Sequence, residues 1–445
     1  MTLRKSLPPG PSKRSLAGSL PEFMTERLDF LTRMRHEFGP ICQYRFGPKR
    51  IWMVSDPDLI ETVLVTEYKN VIKHFGARHY LPALGNGLVL SEGEFWLRQR
   101  RLSQPAFSRQ RIHSYAQTMV DLSEKLLATW YHTKPVDIHA EMSNLTSDIA
   151  LKTLFDLDAL EDRSSFTTQL HDLFALLSQR FRQIIKLPLW MPLPSHRRIR
   201  AAQGRLDALV RGFIERGRRR TAPGDDLLSA LLQATDDDGS SMSEQQLLDE
   251  MKTLYLAGHE TTALTLSWTW YLLAQYPNVE DRLADEWKRV LQKRNPTPED
   301  LPNLPYTEAV LTESMRLYPP VYLLGRETIR PIELGGYAVP KGTTIFMSQW
   351  VMHRDERYFE SPLSFRPERW LDGLAKRIPK YAYFPFGGGP RICIGNHFAQ
   401  MEAALLLATI GQRYQFTHDD AMPVEPWPSI TLIPNGGIHT TLKRR

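Results

Sequence analysis

Apolar residues recur at helical spacing through most of this chain, and the exceptions are short. Two apolar-rich runs, 41–46 and 51–54, flank Gly47-Pro48-Lys49-Arg50, which predicts a small β-hairpin. From 92 to 213 the pattern is mainly helical, broken at Pro105, at Pro135 and in the Pro-rich stretch 187–195. Ser243-Glu244-Gln245-Gln246 has the form of a capping box, with Ser243 as N-cap and Gln246 three positions on. No proline follows until Pro277, so a helix of roughly 30 residues, about 45 Å, is predicted. Its first turns are polar, whereas 254–274 is apolar nearly all round and should cross a core. Helices are predicted at 279–293 and 307–317, the second stopped by Pro319-Pro320. Short strands are predicted at 333–337 and 343–349, a Pro- and Gly-rich stretch at 361–395, and a last apolar helix at 397–410 before a strand-like tail. Residues 1–22 are basic and rich in Pro, Gly and Ser, and read as an irregular arm. The sum is a mainly α protein with a few small sheets.

The 445 residues exceed one average domain of about 150, but no internal repeat and no long linker divides them. Hydrophobic residues at 42% and charged residues at 24% are an ordinary globular balance. Cys42 and Cys393 are the only cysteines, which excludes a disulfide framework and any four-cysteine metal site, and fits a reducing compartment. No stretch approaches the roughly 18 apolar residues of a membrane span, and no apolar signal-peptide core follows Met1. A cytoplasmic protein without a transmembrane anchor is expected. The formal charge of +6 is a mild basic excess, compatible with acidic protein partners. Arginines 197, 198, 200, 205, 211, 216, 218 and 219 suggest a nucleic-acid surface, but Asp207 and Glu215 interrupt them and no aromatic platform accompanies them. They read as a solvated helix face, with no nucleic acid bound. No Gly-rich phosphate loop follows a strand, which argues against a dinucleotide-binding module.

The chemistry concentrates in Phe386-Gly387-Gly388-Gly389-Pro390-Arg391-Ile392-Cys393-Ile394-Gly395, a Gly-rich loop that holds one cysteine just before the last helix. Glycines let backbone N–H groups approach the sulfur, and those donors and the helix N-terminus favour a thiolate. Arg391 adds a positive charge two residues away. A lone thiolate suits the single axial bond of a haem iron, while a buried cysteine in a Gly-rich turn is the plainer reading of the residues by themselves. This stretch resembles the cytochrome P450 haem-thiolate signature F-x-x-G-x-R-x-C-x-G, matched by Phe386, Gly389, Arg391, Cys393 and Gly395.

Three further stretches resemble motifs of the same family, in the expected order. Ala257-Gly258-His259-Glu260-Thr261-Thr262 is similar to its oxygen-binding A-G-x-[DE]-T-T. Ala257 and Thr261 share a helix face, where small residues leave room for a ligand, and Thr261 with Glu260 can relay a proton. Close helix packing, with Thr261 bonded back to the Ala257 carbonyl, is the alternative. Glu313-Ser314-Met315-Arg316 resembles the ExxR motif, whose pair is joined by an arginine from a later P-E-R segment, here Arg369 in Pro367-Glu368-Arg369-Trp370. Trp96 and Arg100 match an early W-x-x-x-R.

The resemblance implies a P450 fold, a helical prism with small β-sheets, in which 23–445 form one haem domain. It implies haem b, with Cys393 as the iron ligand, Phe386 packed beside it, and Arg391, Trp96, Arg100 and Arg326 on the propionates. His353 is a weaker haem contact. Glu313, Arg316 and Arg369 form a structural network. Leu88, Val89, Leu90, Leu256, Ala257, Leu323 and Leu324 line an apolar pocket, and residues 187–192 cover its entrance. Lys49 and Arg50 lie near the family's pocket mouth and read as solvated turn charges. The implied function is insertion of one oxygen atom from O2 into a hydrophobic small molecule by a monomeric enzyme. With no reductase in this chain, electrons from NAD(P)H would come from a separate ferredoxin, flavodoxin or reductase. A peroxide-driven haem enzyme and a haem sensor are the other readings; Glu260 and Thr261 argue against the first.

Overall fold

The computed structural model describes residues 7–12, 15–130, 135–157, 168–170, 172–177, 179–180, 187–222, 224–418 and 424–445. Parts of the predicted arm (1–6 and 13–14) and of the predicted helical run (131–134, 158–167, 181–186) lie outside these residues. Helices take up 57% of the chain. It separates into two compact units: 1–74, 123–143 and 261–445 make the first, and 75–122 with 144–260 the second.

All β-ladders lie in the first unit. Its main sheet has the order Ile41–Phe46, Lys49–Val54, Thr344–Met347, Leu324–Thr328, Val71–Lys73. The hairpin forms as predicted, but only Gly47-Pro48 make the reversal, since Phe46 already pairs with Lys49. Lys49–Val54 pairs in parallel with Thr344–Met347, and the other ladders are antiparallel. Trp52, Val54, Ile345 and Met347 enter a core with Ile60, Leu64, Tyr381 and Phe384. Elsewhere on the sheet, Phe46 and Phe346 meet Phe23, with ring centroids 4.7 and 6.0 Å away. Phe23 belongs to a helix, Leu20–Thr25, so the arm ends before residue 20 rather than at 22. Burial of that ring, with Pro21 in the first helical turn, outweighs the Pro/Gly/Ser composition.

The second unit is helical. Along Pro194–Arg218 the buried positions are His196, Ile199, Ala202, Leu206, Val210, Phe213 and Ile214, a single stripe at helical spacing. The arginines take the remaining surface, several opposite carboxylates, as in Arg211 and Arg218 with Glu244.

The long helix runs Glu244–Gln275. Its capping box is present: the Ser243 N–H donates to Gln246 Oε1 at 2.7 Å, and the Gln246 N–H donates to Ser243 Oγ at 3.2 Å. Residues 262–273 are buried without interruption. The all-round burial predicted from 254 is broken at 256–261, where Ala257 is exposed and Leu256, Gly258, Glu260 and Thr261 are half-buried.

Candidate active site

The cysteine loop is tied by its own backbone. The Gly387 N–H donates to the Phe384 carbonyl at 3.0 Å, Ile392 to Gly389 at 3.1 Å, and Cys393 to Phe386 at 3.0 Å. Gly389 has φ +65°, and a Cβ there would stand 2.1 Å from the Leu64 carbonyl oxygen, so no other residue fits. The loop is thus pressed onto the π-helical turn Thr62–Thr66. Helix Asn396–Gly411 begins just beyond, with Gly395 as N-cap, which sets Cys393 at its positive end. The Cys393 thiol is exposed. Cys42 is the opposite case: it is buried, and burial pushes its thiol up to about 12. Phe386 and Arg391 are half-buried beside Cys393 in the loop.

Behind the loop, Glu313 collects five donors. Arg316 binds it bidentately through Nε and Nη2, both at 2.8 Å, and Arg369 Nε donates at 3.0 Å. The Arg366 N–H adds a bond at 3.0 Å and the Trp370 indole N–H one at 2.8 Å. Glu313 and Arg316 are fully buried, so the geometry must compensate their desolvation, and the planar guanidinium fork does this where a lysine would not. Arg316 Nη1 also donates to the carbonyls of His353 and Pro362. The predicted network is therefore assembled, with Trp370 as a member that the sequence reading passed over.

His353 lies between the Glu313 network and the cysteine loop. It is buried, and its Nε2 accepts the Phe384 N–H at 3.0 Å. Tyr383 and Phe384 pack on its ring at 4.8 and 5.5 Å. Burial, reinforced by the Arg316 charge, keeps the imidazole neutral by pulling its pKa well below the usual range. His353 thus links the Glu313 network to the start of the cysteine loop.

On the long helix, Thr261 and Glu260 stand in the open stretch, while Thr262 is buried. The Thr262 hydroxyl donates to Glu402, a fully buried carboxyl on the helix that follows Cys393. Burial pushes this carboxyl up to about 8, against the Thr262 bond. Glu402 was not singled out from the sequence, although it is the only acidic residue in that apolar helix. Trp96 is buried and Arg100 half-buried, one turn apart on Gly93–Ser103 of the second unit. Arg326 is buried in strand Leu324–Thr328, where its Nη1 donates to the Gly325 carbonyl at 3.0 Å. Leu88 and Leu90 are buried and Val89 is exposed. Leu323 packs with Tyr322 and Leu432, and Leu324 packs on the main-sheet core, 3.6 Å from where a Cβ on Gly387 would stand. Lys49 and Arg50 are exposed, as is Trp190 in the segment expected to cover the entrance.

The donor set fits a haem bound through one thiolate. A single exposed sulfur sits at a helix N-terminus, and among the described residues no group of three or more His, Cys, Asp or Glu gathers for a multi-ligand metal site. A family model described as Cytochrome P450 matches residues 8–441. The chain belongs to the cytochrome P450 family. It is similar to cyclooctatin synthase of Streptomyces melanosporofaciens, 36% identical over 95% of this chain and 92% of that one. Cyclooctat-9-en-7-ol 5-monooxygenase of the same organism is 36% identical over 88% of this chain and 84% of its own. Pentalenene oxygenase of Streptomyces avermitilis is 32% identical over 94% and 92%. The chain is thus a P450 monooxygenase, an oxidoreductase that incorporates oxygen. P450 membership implies a haem-thiolate cofactor, redox partners, O2 and an organic substrate. No helix among the described residues is long and apolar enough to cross a membrane.

Proposed function

We propose that this P450 inserts one oxygen atom from O2 into a C–H or C=C bond of a hydrophobic cyclic terpenoid, with electrons from NAD(P)H delivered by a separate ferredoxin, flavodoxin or reductase. The substrate class is supported by the names of the relatives pentalenene oxygenase and cyclooctat-9-en-7-ol 5-monooxygenase. It is also supported by the apolar character of Leu88, Val89, Leu90, Leu256, Ala257, Leu323 and Leu324, the proposed pocket lining. The observation that carries the chemistry is the exposed Cys393 thiol in its rigid loop at a helix N-terminus. Haem b would be held by Cys393 on the iron, by Phe386 beside the sulfur, and by Trp96, Arg100, Arg326 and Arg391 on the propionates. When bound, it supplies the redox-active iron at which O2 is activated, and the thiolate favours O–O cleavage. Gly395 lets the following helix start against the loop. Ala257 leaves room on the long helix, the Thr261 hydroxyl passes a proton inward, and Glu260 replenishes it.

The test is the reduced protein under carbon monoxide. We expect the red-shifted absorption under carbon monoxide that thiolate ligation of a haem would give, lost in Cys393→Ser and kept in Cys42→Ser. A normal band in the Cys393 variant would sink the assignment.

A further inference from the structure

The polar first half of the long helix carries buried charges that the proposed oxygen chemistry does not use. Asp249 is 6% exposed, and Glu250 and Lys252 are 1% exposed. Lys252 Nζ lies 2.8 Å from Asp207 Oδ1 and 3.3 Å from Asp249 Oδ1. Gln245 Nε2 donates to Asp249 Oδ1 at 2.9 Å. Asp207 and Asp249 thus share one ammonium that does not reach Glu250, and the backbone of residues 85–90 supplies the missing donors. The Asn86 N–H donates to Asp249 Oδ2 at 2.8 Å, and the Leu88 N–H donates to Glu250 Oε2 at 3.0 Å. The approach is close. A Cβ on Gly87 would stand 2.3 Å from Thr253 Oγ1 and 2.7 Å from the Asp249 carbonyl oxygen, so glycine alone allows it. Glu250 Oε1 and Thr253 Oγ1 are buried with no hydrogen-bond partner among the described residues.

We propose that Asp249 and Glu250 are positioning residues that dock the 85–90 segment on the long helix and thereby set the size of substrate the enzyme retains. This rests on the substrate-facing role proposed above for Leu88, Val89 and Leu90. Two backbone N–H groups held by carboxylates fix the segment at alternate positions, while its side chains remain free to vary in contact. Docking also depends on pH. Burial is the main reason that the Glu250 carboxyl is pushed up to about 8; the Leu88 N–H opposes this and the Asp249 charge adds to it. When the segment lifts, water reaches the carboxyl and its value falls back towards the ordinary 4.5. The docked state therefore binds the proton more tightly. Docking is strongest below the ordinary value, weakens as pH rises towards about 8, and changes no further above it. The charged group that acts on Glu250 is Asp249 on its own helix; Lys252, and Asp207 of Pro194–Arg218, gather on the Asp249 side, and residues 85–90 bring no charge.

The experiment follows amide hydrogen exchange of residues 84–92 in the haem-loaded full chain, for wild type, Asp249→Ala, Glu250→Ala and Glu250→Gln. In the two alanine variants, exchange should rise about tenfold, the loss of one hydrogen bond to a buried acceptor. Glu250→Gln retains an acceptor for the Leu88 N–H and should keep the protection, but without the wild-type pH response. Optical titration with 4-phenylimidazole and 1-dodecylimidazole reads selectivity, and the ratio of their affinities should shift by about threefold or more in Glu250→Ala. Unchanged exchange in both alanine variants overturns the docking. Raised exchange with an unchanged affinity ratio overturns the role in selectivity. Equal pH responses in wild type and Glu250→Gln overturn the part played by protonation. If the ratio shifts although wild type forms no product from any terpenoid, the monooxygenase substrate reading fails and the positioning role stands.

Discussion

Thr261 and Thr262 are adjacent on the long helix, yet burial separates them: the first is half-buried in the open stretch, and the second is buried and bonded to Glu402. A proton-relay role for Thr261 makes a specific demand. Thr261→Ala should bind haem and substrate and still consume NAD(P)H, while more reducing equivalents leave as peroxide, because the hydroxyl that would pass the proton inward is gone. Product and peroxide per NAD(P)H, measured with an unfunctionalised hydrophobic substrate, decide it; unaltered coupling would remove Thr261 from the path. Glu402 makes a different demand. Its folded-state pKa of about 8 lies above the ordinary 4.5, so the folded chain holds a proton that the unfolded chain releases. That stability is full below the ordinary value and is lost as pH rises towards about 8, by up to about 1.4 kcal/mol per pH unit. Glu402→Gln should flatten this slope in denaturant unfolding. Identical slopes in variant and wild type would place the titration elsewhere.

Between elements, Glu313 joins its own helix, Pro305–Leu317, to the segment 366–370, and Arg316 with His353 carries the connection on to Phe384. Glu313→Ala would leave Arg316 buried beside no charge, a loss of roughly 3–5 kcal/mol, and should appear as poor haem retention in purified protein. Trp370→Phe keeps the ring and removes one donor to a carboxylate, so unfolding should show a loss of about 1.5–3 kcal/mol with haem content retained. No change in stability would make the Trp370 bond incidental. The Ser243 capping box was legible in the sequence because side-chain types at fixed spacing specify it, whereas the Glu313, Arg316 and Arg369 triad was legible only through the resemblance to the family's ExxR and P-E-R motifs. His353 was not, because its partner is a backbone N–H 31 residues away, which no residue type encodes. Strand Val71–Lys73 is three residues long and is specified by its pairing with Thr328, Glu327 and Arg326, so no local alternation announces it. The break in burial at 256–261 was legible only through the resemblance of 257–262 to the oxygen-binding motif, because apolar side chains by themselves read alike whether they face a packed neighbour or an open face.

At the scale of the molecule, the basic excess is local. Helix Pro194–Arg218 carries seven arginines against two carboxylates, a net +5 of the chain's formal +6. The remainder is nearly neutral, so overall charge says nothing about where an acidic electron donor docks. The cysteine loop has its own basic approach: Lys376, Arg377 and Lys380 are exposed just before it. An acidic donor must reach the cysteine loop, so the cluster that adjoins the loop in the chain, and not the arginine helix, should govern electron delivery. Reversing Lys376, Arg377 and Lys380 to Glu should raise the KM for an acidic ferredoxin about tenfold and flatten its rise with ionic strength. Reversing Arg197, Arg198 and Arg205 to Glu changes the net charge by the same amount and should leave both quantities alone. Substrate affinity, read from the optical shift, should not move in either variant, which separates docking from damage to the pocket. A KM that follows the arginine helix instead would place the donor on that helix and remove the cluster before the cysteine loop from the electron path.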